Sequence, residues 1–355
     1  MLSRKSFLSV LIAVLVGCSE TDREQTTQNS GPITNPGDDA GGAASGGSED
    51  DDGTGSDADG GGATAGGGST GTSAGNTDGT PGDSAGGNTG DSDTSKCGAP
   101  LEAAAPTAAS VTKDGPLKVA SYSTGIAASR DYKSLTAFYP TDGTGPYVVV
   151  MISPGLTEIL SYLQGWANRF ASHGYVAVFV EANNTNADSA QVRATGMWSG
   201  IQSMKAENSR EGSPLKGKLS DCYVTSGHSL GGGASLLTAK AHPNDLKGAL
   251  GFNPYEPSTN FSSIVAPTLI LTGENDTTAN PSNHGRRQYD TLSASILKQY
   301  VEAAGGNHQS ALFPGSVPGQ YALSWIKLVV DGDARYSPFL DEAANGLSDF
   351  ATTLP

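Results

Sequence analysis

The segment "SGHSLGGGAS" (Ser226 to Ser235) places Ser229 between a histidine and a run of glycines, directly after the apolar "CYVT". The spacing G-x-S-x-G at Gly227, Ser229 and Gly231 predicts a nucleophile elbow, a sharp strand-to-helix turn that presents a serine hydroxyl. Such a hydroxyl attacks a carbonyl only when a base takes its proton and a further group orients the base. Two later segments offer those groups. Glu274-Asn275-Asp276 follows "APTLILTG", and Asn307-His308 follows "KQYVEAAGG". The chemistry expected of this set is acyl transfer, with His308 as general base and Asp276 as the carboxylate that orients it. Glu274, nearer its strand, is the alternative acid. The negative charge that develops on the attacked carbonyl needs donors aimed at it. The N–H of Leu230, at a helix start where the dipole helps, supplies one. The N–H of Leu156, in Pro154-Gly155-Leu156-Thr157 after "VVVMIS", supplies the other.

The G-x-S-x-G spacing is not specific by itself, because it recurs at Ser69, Ser73 and Ser84 inside a glycine-rich tract. None of those has a strand before it or a helix after it. Among the other histidines, His173 in "ASHGY" reads as a packing or capping residue at a helix-to-strand turn. His242, before Pro243, is expected to be exposed. His284 lies where a helix should open. His228 adjoins the nucleophile, but an elbow turns adjacent side chains in different directions, so it is expected to support the site from behind. Glu181 also ends a strand, yet it precedes the serine and breaks the order serine, acid, histidine.

Positioning these groups requires a particular set of elements. "LKVASYST" and "SLTAFYP" predict an antiparallel opening. "YVVVMIS" and "YVAVFVE" are continuous apolar runs of the kind buried on both faces of a sheet. "CYVTSGH", "LKGALGFN", "APTLILTG" and "KQYVEAAG" add four strands, the last of them taken as the final strand. Helical spacing fills "EILSYLQGWANRFASHG", Asp188 to about Lys205, "SLGGGASLLTAKAH" and a closing helix "GQYALSWIKLVVDG". The alternation predicts an α/β class, a mostly parallel central sheet with helices on both faces. Ser229 then falls at the carboxyl end of a central strand, where such sheets bind ligands. About a dozen residues separate "LKGALGFN" from "APTLILTG", too few for a cap domain, which predicts an open, shallow cleft.

The chain divides into three parts. Residues 1–18, "MLSRKSFLSVLIAVLVGC", have basic Arg4 and Lys5 and then a short apolar run, a secretory signal layout. Its end resembles a bacterial lipobox, which implies lipidation of Cys18. Ser19 after it implies no inner-membrane retention, so an exported, lipid-anchored protein at an outer membrane or cell surface is expected. Residues 19–97 form an acidic Gly/Ser/Asp-rich linker. Residues 19–96 hold 15 of the 36 acidic residues, no aromatic, and Ile33 as the sole large aliphatic. Such a tract cannot bury enough apolar surface to offset its ordering entropy. A Gly-rich coil of that length spans about 50 Å. The acidity of the chain is mostly the tether's, and nucleic acid is not an expected partner. Residues 98–355 form one catalytic domain. Cys97 and Cys222 could pair in an exported protein, or they could stay a loose and a buried thiol.

Many segments in one order carry a resemblance: "PTAAS", "SPG", "RFASHGYVAVFVEANNT", "GHSLGGGAS", "STNFSSIVAPTLILTGENDT", "GGNH" and "SWIKLVVDGDARY". From about Ala104 to Tyr336 the chain resembles the polyesterase–lipase–cutinase family of α/β-hydrolases, which includes bacterial cutinases and polyethylene terephthalate hydrolases. The resemblance implies a Ser229-Asp276-His308 triad, Leu156 and Leu230 as oxyanion donors, and ester hydrolysis through an acyl-enzyme with no cofactor and no metal. This chain departs from the family pattern at the substrate side. Leu156 stands where an aromatic is usual, Leu230 where methionine is common, Tyr255 where polyester hydrolases carry tryptophan, and Gln309 where phenylalanine or serine is common. Tyr255 and Gln309 are the expected substrate contacts. The C-terminal cysteines of many relatives are absent. The expected activity is cutinase-like polyester hydrolysis by a monomer. The alternatives are a small-ester carboxylesterase or lipase without polymer activity, and a surface lipoprotein that binds without turnover.

Overall fold

An antiparallel pair, β1 (Val119–Tyr122) and β2 (Ser134–Pro140), opens the sheet, as the sequence predicts. The structure, a computed structural model, describes residues 96–258, 260–342 and 346–355. The signal-like segment, Cys18 and the acidic tract up to residue 95 lie outside the described residues. β3 (Tyr147–Ser153) and β4 (Val176–Glu181) follow, joined by α1 (Leu160–Ser172). β3 is buried at every position, because helices cover both faces of the sheet. α2 (Ala190–Glu207) leads to β5 (Leu219–His228), and α3 (Leu230–Ala241) to β6 (Gly248–Phe252). β7 (Thr268–Gly273), α4 (Gly285–Thr291), β8 (Lys298–Ala303), α5 (Ser316–Ile326) and β9 (Leu347–Thr352) complete the order.

The strands form one sheet in the order β1-β2-β4-β3-β5-β6-β7-β8-β9. The ladders from β4 to β8 are parallel, and β1, β2 and β9 are antiparallel. Alternate side chains of β3 feed two cores. Val149 and Met151 pack with Met197, Ile201 and Met204 of α2 on one face. Val148, Val150 and Ile152 pack with Leu163, Trp166 and Phe170 of α1 and Trp325 of α5 on the other. The α1 residues recur at helical spacing, and the helix stops at Gly174, whose φ of 93° suits glycine.

Three findings differ from the sequence reading. β8 is not the final strand, because β9 pairs antiparallel with it. "LSDFAT" carries weak strand character, with half its length polar, as an edge strand tolerates. The closing helix ends at Ile326 and widens into a π turn over Lys327–Asp331. The folded unit also begins earlier than composition suggests. Lys96 N–H donates to Asp331 O at 3.0 Å, and Cys97 is bonded to Cys222 of β5. Among the described residues no helix is long and apolar enough to cross a membrane.

Register fixes the site. Ser153 lies opposite Gly227, His228 opposite Phe252, and Gly273 opposite Ala303. The carboxyl ends of β3, β5, β6, β7 and β8 therefore share one edge, and the loops leaving them meet there.

Candidate active site

Ser229 occupies the turn between β5 and α3 with φ 54° and ψ −120°, a conformation that L residues rarely adopt. Neighbouring backbone holds it there. Ser229 N–H donates to Phe252 O at 2.9 Å, and its carbonyl accepts from Tyr255 N–H at 2.8 Å and Gly233 N–H at 3.0 Å. The glycines are a packing requirement. A Cβ at Gly231 would overlap the Ser153 carbonyl, and one at Gly227 would lie 2.5 Å from that carbonyl and from Gly231 O. The end of β3 can pass this close only with hydrogen at both positions.

His308, after β8, comes to Ser229 from the far side of the sheet edge. The serine hydroxyl donates to His308 Nε2 at 2.9 Å, and His308 Nδ1–H donates to Asp276 Oδ2 at 2.8 Å. The carboxylate can only accept, which sets the tautomer that leaves Nε2 free to take a proton. Asp276, 1% exposed, is saturated with donors. Its Oδ1 accepts Thr278 N–H and Ala279 N–H, both at 2.8 Å, and Asn253 Nδ2 donates to Oδ2 at 3.0 Å. Burial pushes this carboxyl up, but the His308 and Ala279 hydrogen bonds, the charge of His308 and the Asn253 amide more than offset it. The net result holds it below its ordinary value and ionised. Glu274, the alternative acid, is exposed and accepts Gly305 N–H at 2.7 Å instead.

The loop after β3 lies against the serine. A Cβ at Gly155 would stand 2.9 Å from Ser229 Cβ, so the backbone entering Leu156 borders the hydroxyl on one side. Leu230 begins α3 on the other side. The Leu156 side chain is 50% exposed, and Ile159, Tyr162 and Phe313 are exposed apolar residues on adjoining segments. Tyr255 is half-buried and stacks on His284, ring centroids 4.6 Å apart. Gln309 is exposed beside His308, with its N–H donating to Asn307 Oδ1 at 2.9 Å.

The remaining histidines are engaged with other groups. His173 caps α1 and is buried, contacting Glu102 through Nδ1 at 2.8 Å and Lys113 O through Nε2 at 3.0 Å. His242 is not exposed as expected. It is half-buried and lies flat on Trp198, centroids 3.5 Å apart, because the end of α3 brings it over that indole. His284 sits at the start of α4. His228, 1% exposed, binds Glu158 and the His308 carbonyl.

Two residues escaped the sequence reading. Asn253, fully buried at the end of β6 with φ 43°, gives its amide to Asp276 and accepts Ala311 N–H at 3.1 Å on Oδ1. It thus joins the acid to the loop of His308. A polar residue directly before Pro254 at the end of a buried strand was the available signal. Glu158 is the other, in the loop that carries Leu156; a carboxylate three residues past Gly155 was the signal.

Comparison with known proteins identifies the family. Residues 97–353 match the family described as PET hydrolase-like. Cutinase 1 of Thermobifida cellulosilytica is 32% identical over 227 residues, covering 64% of this chain and 84% of that protein. Cutinase 2 of the same organism is 33% identical over 229 residues, covering 64% and 85%. A bis(hydroxyethyl) terephthalate hydrolase of Streptomyces coelicolor is 31% identical over 238 residues, covering 66% and 75%. A match across the whole described fold, with a parallel sheet and a serine elbow at its carboxyl edge, places the chain in the PET hydrolase-like family of α/β-hydrolases, which are carboxylic-ester hydrolases.

Proposed function

We propose that this protein hydrolyses esters and polyesters of the cutinase type through an acyl-enzyme on Ser229. The unbroken hydrogen-bonded series from Asp276 through His308 to Ser229 Oγ, at 2.8 and 2.9 Å, carries the proposal. His308 Nε2 takes the hydroxyl proton as Oγ attacks the ester carbonyl. The oxyanion is held by the N–H groups of Leu156 and Leu230, each worth about 3–4 kcal/mol in the barrier. Collapse expels the alcohol, which leaves with the proton from Nε2. Water then repeats the sequence on the acyl-serine and releases the acid. Asp276 keeps the ring in the productive tautomer and stabilises its charged form without taking the proton. Every step is a proton or acyl transfer among these groups, so the scheme includes no cofactor.

Leu156 and Tyr255 form the walls of the acyl site in this proposal, and Gln309 contacts the leaving side. The exposed Leu156, Ile159, Tyr162 and Phe313 suit a substrate presented as a surface. The chain acts as a monomer, exported and lipidated at Cys18 after loss of residues 1–17. The tract of residues 19–95 tethers the domain at the outer membrane or cell surface. The Cys97–Cys222 bridge is consistent with an oxidising compartment.

A second reading, a small-ester carboxylesterase, is favoured by aliphatic Leu156 at the mouth of the site. One panel separates the possibilities: p-nitrophenyl butyrate and a polyester film, each with wild type and Ser229→Ala. The proposal expects release from both substrates by wild type and none by the variant. Release from the soluble ester alone supports the second reading. No release from either leaves a binding lipoprotein.

A further inference from the structure

Behind the oxyanion loop a second hydrogen-bonded series runs parallel to the first. Glu158, 9% exposed, accepts Gly155 N–H on Oε2 at 2.5 Å. Its Oε1 lies 2.6 Å from His228 Nδ1, and His228 Nε2 lies 2.7 Å from the carbonyl oxygen of His308. A carbonyl only accepts, so Nε2 bears a hydrogen and donates it. One further proton lies between Nδ1 and Oε1. The series therefore starts on the backbone that leads into Leu156 and ends on the backbone of the proposed base. The His228 ring also packs on the His308 ring, centroids 4.9 Å apart.

There is little slack in this arrangement. A Cβ at Gly155 would meet Glu158 Oε1 at 2.8 Å and Ser229 Cβ at 2.9 Å. On the α2 side lies the buried Arg193. Arg193 donates to Asp188 O at 3.1 Å and to Thr185 O at 3.0 Å, and Thr185 O also accepts Thr157 N–H at 2.8 Å. On the opposite side stands the Asp276–His308 pair. The oxyanion loop is thus held from α2 and from His228 together.

We propose that Glu158 and His228 are positioning residues that yoke the oxyanion loop to the general-base loop, so that the Leu156 N–H and the His308 ring keep one geometry about Ser229. This rests on the esterase reading above. Neither side chain touches the substrate, so their effect is expected in kcat and not in KM.

The variants follow from the bonding. Glu158→Gln can keep every link, because its carbonyl accepts Gly155 N–H and its NH2 donates to Nδ1 of a His228 that still donates from Nε2. Glu158→Leu fills the space and cuts the series at both ends. His228→Phe keeps a ring and cuts it in the middle. Steady-state kinetics on p-nitrophenyl butyrate, with thermal midpoints in parallel, test the yoke. Glu158→Leu and His228→Phe should each lower kcat about ten- to hundred-fold, below the full loss of an oxyanion donor, with KM within about two-fold. Glu158→Gln should recover most of the lost kcat. The double variant Glu158→Leu/His228→Phe should fall no more than about three-fold below the worse single, as residues on one series are not additive. A lowered midpoint with kcat within about three-fold of wild type in both cutting variants would overturn the proposal, leaving a packing role. So would a Gln variant as slow as the Leu variant, or losses that multiply in the double. If Glu158→Leu does not fold, His228→Phe and Glu158→Gln decide. Ser229→Ala is the control that separates the two readings: an unchanged rate there removes the esterase assignment itself, whereas a dead Ser229→Ala beside unimpaired cutting variants removes only the yoke.

Discussion

Asp276→Asn is the most discriminating single substitution, because the surroundings of the carboxylate dictate how the amide must sit. Thr278 N–H and Ala279 N–H both donate to Oδ1, so the amide oxygen is held at that position. The NH2 group then occupies the place of Oδ2 and points at His308 Nδ1, 2.8 Å away in the wild type. Flipping the amide would set its NH2 against two backbone N–H donors. With NH2 facing it, Nδ1 must accept, so the hydrogen moves to Nε2 and points at Ser229 Oγ. The base then has no lone pair for the hydroxyl proton. The same NH2 also confronts Asn253 Nδ2, which cannot turn away without abandoning Ala311 N–H. A triad in the wrong tautomer loses about four orders of magnitude in kcat, or about 5.5 kcal/mol in the barrier. The assay is pre-steady-state and steady-state release of p-nitrophenol from p-nitrophenyl butyrate at neutral pH, with circular dichroism to show that the variant is folded. A folded Asp276→Asn enzyme with kcat within about tenfold of wild type would refute the assignment of Asp276 as the orienting group.

Other perturbations address the supports of the site. Asn253→Gly keeps the backbone free to adopt φ 43° while deleting the amide; kcat should drop about ten- to hundredfold, since a hydrogen bond to a charged group is worth about 1.5–3 kcal/mol, and unchanged kinetics would contradict that role. Replacing Cys97 and Cys222 by serine opens a loop closed over a separation of 125 residues. The loss approaches about 5 kcal/mol, or about 10–20 °C in thermal midpoint, with kcat at 25 °C retained; differential scanning calorimetry checks the first and ester assays the second. Glu102 predicts an acid limb of stability. Burial raises its pKa, but His173 at 2.8 Å and Lys327 at 3.1 Å outweigh that and hold it at about 2 against an ordinary 4.5. Its contribution is therefore complete above pH 4.5 and lost as pH falls towards about 2. Glu102→Gln should flatten the midpoint-versus-pH curve in that window, and an unaltered slope would refute the linkage.

Much of the architecture was legible because burial on both sheet faces leaves a simple trace. β3, β4 and β7 are runs with few polar residues, each followed by a proline–glycine pair or a small polar cluster, and Asp276 sits in the cluster after β7, while Ser229 and His308 follow β5 and β8. Position along the chain and position on the sheet edge are the same information for a parallel fold. β9 had no such trace, because an edge strand needs only one neighbour and keeps Asp349 and Thr352 in its ladder. The partners of Glu158, Asn253 and Arg193 were illegible for another reason, although the positions of Glu158 and Asn253 left a faint local mark. Each fills a donor–acceptor gap between separate segments of the fold, and local spacing does not say which partner lies across that gap. His242 likewise depends on Trp198, supplied by a different helix.

The bridge from Cys97 into β5 determines where drag on the upstream chain enters the enzyme. Cys222 lies in a strand clamped between β3 and β6 at the middle of the sheet. Tension arriving from the N-terminal side is handed through sulfur to that strand and bypasses the segment that leads to β1. The parallel ladders on either side then share the load in shear, so the hydrogen bonds must yield together and not one after another. A force applied at Cys97 thus reaches the same strand whose carboxyl end presents Ser229, so the bridge and the nucleophile are joined by one rod.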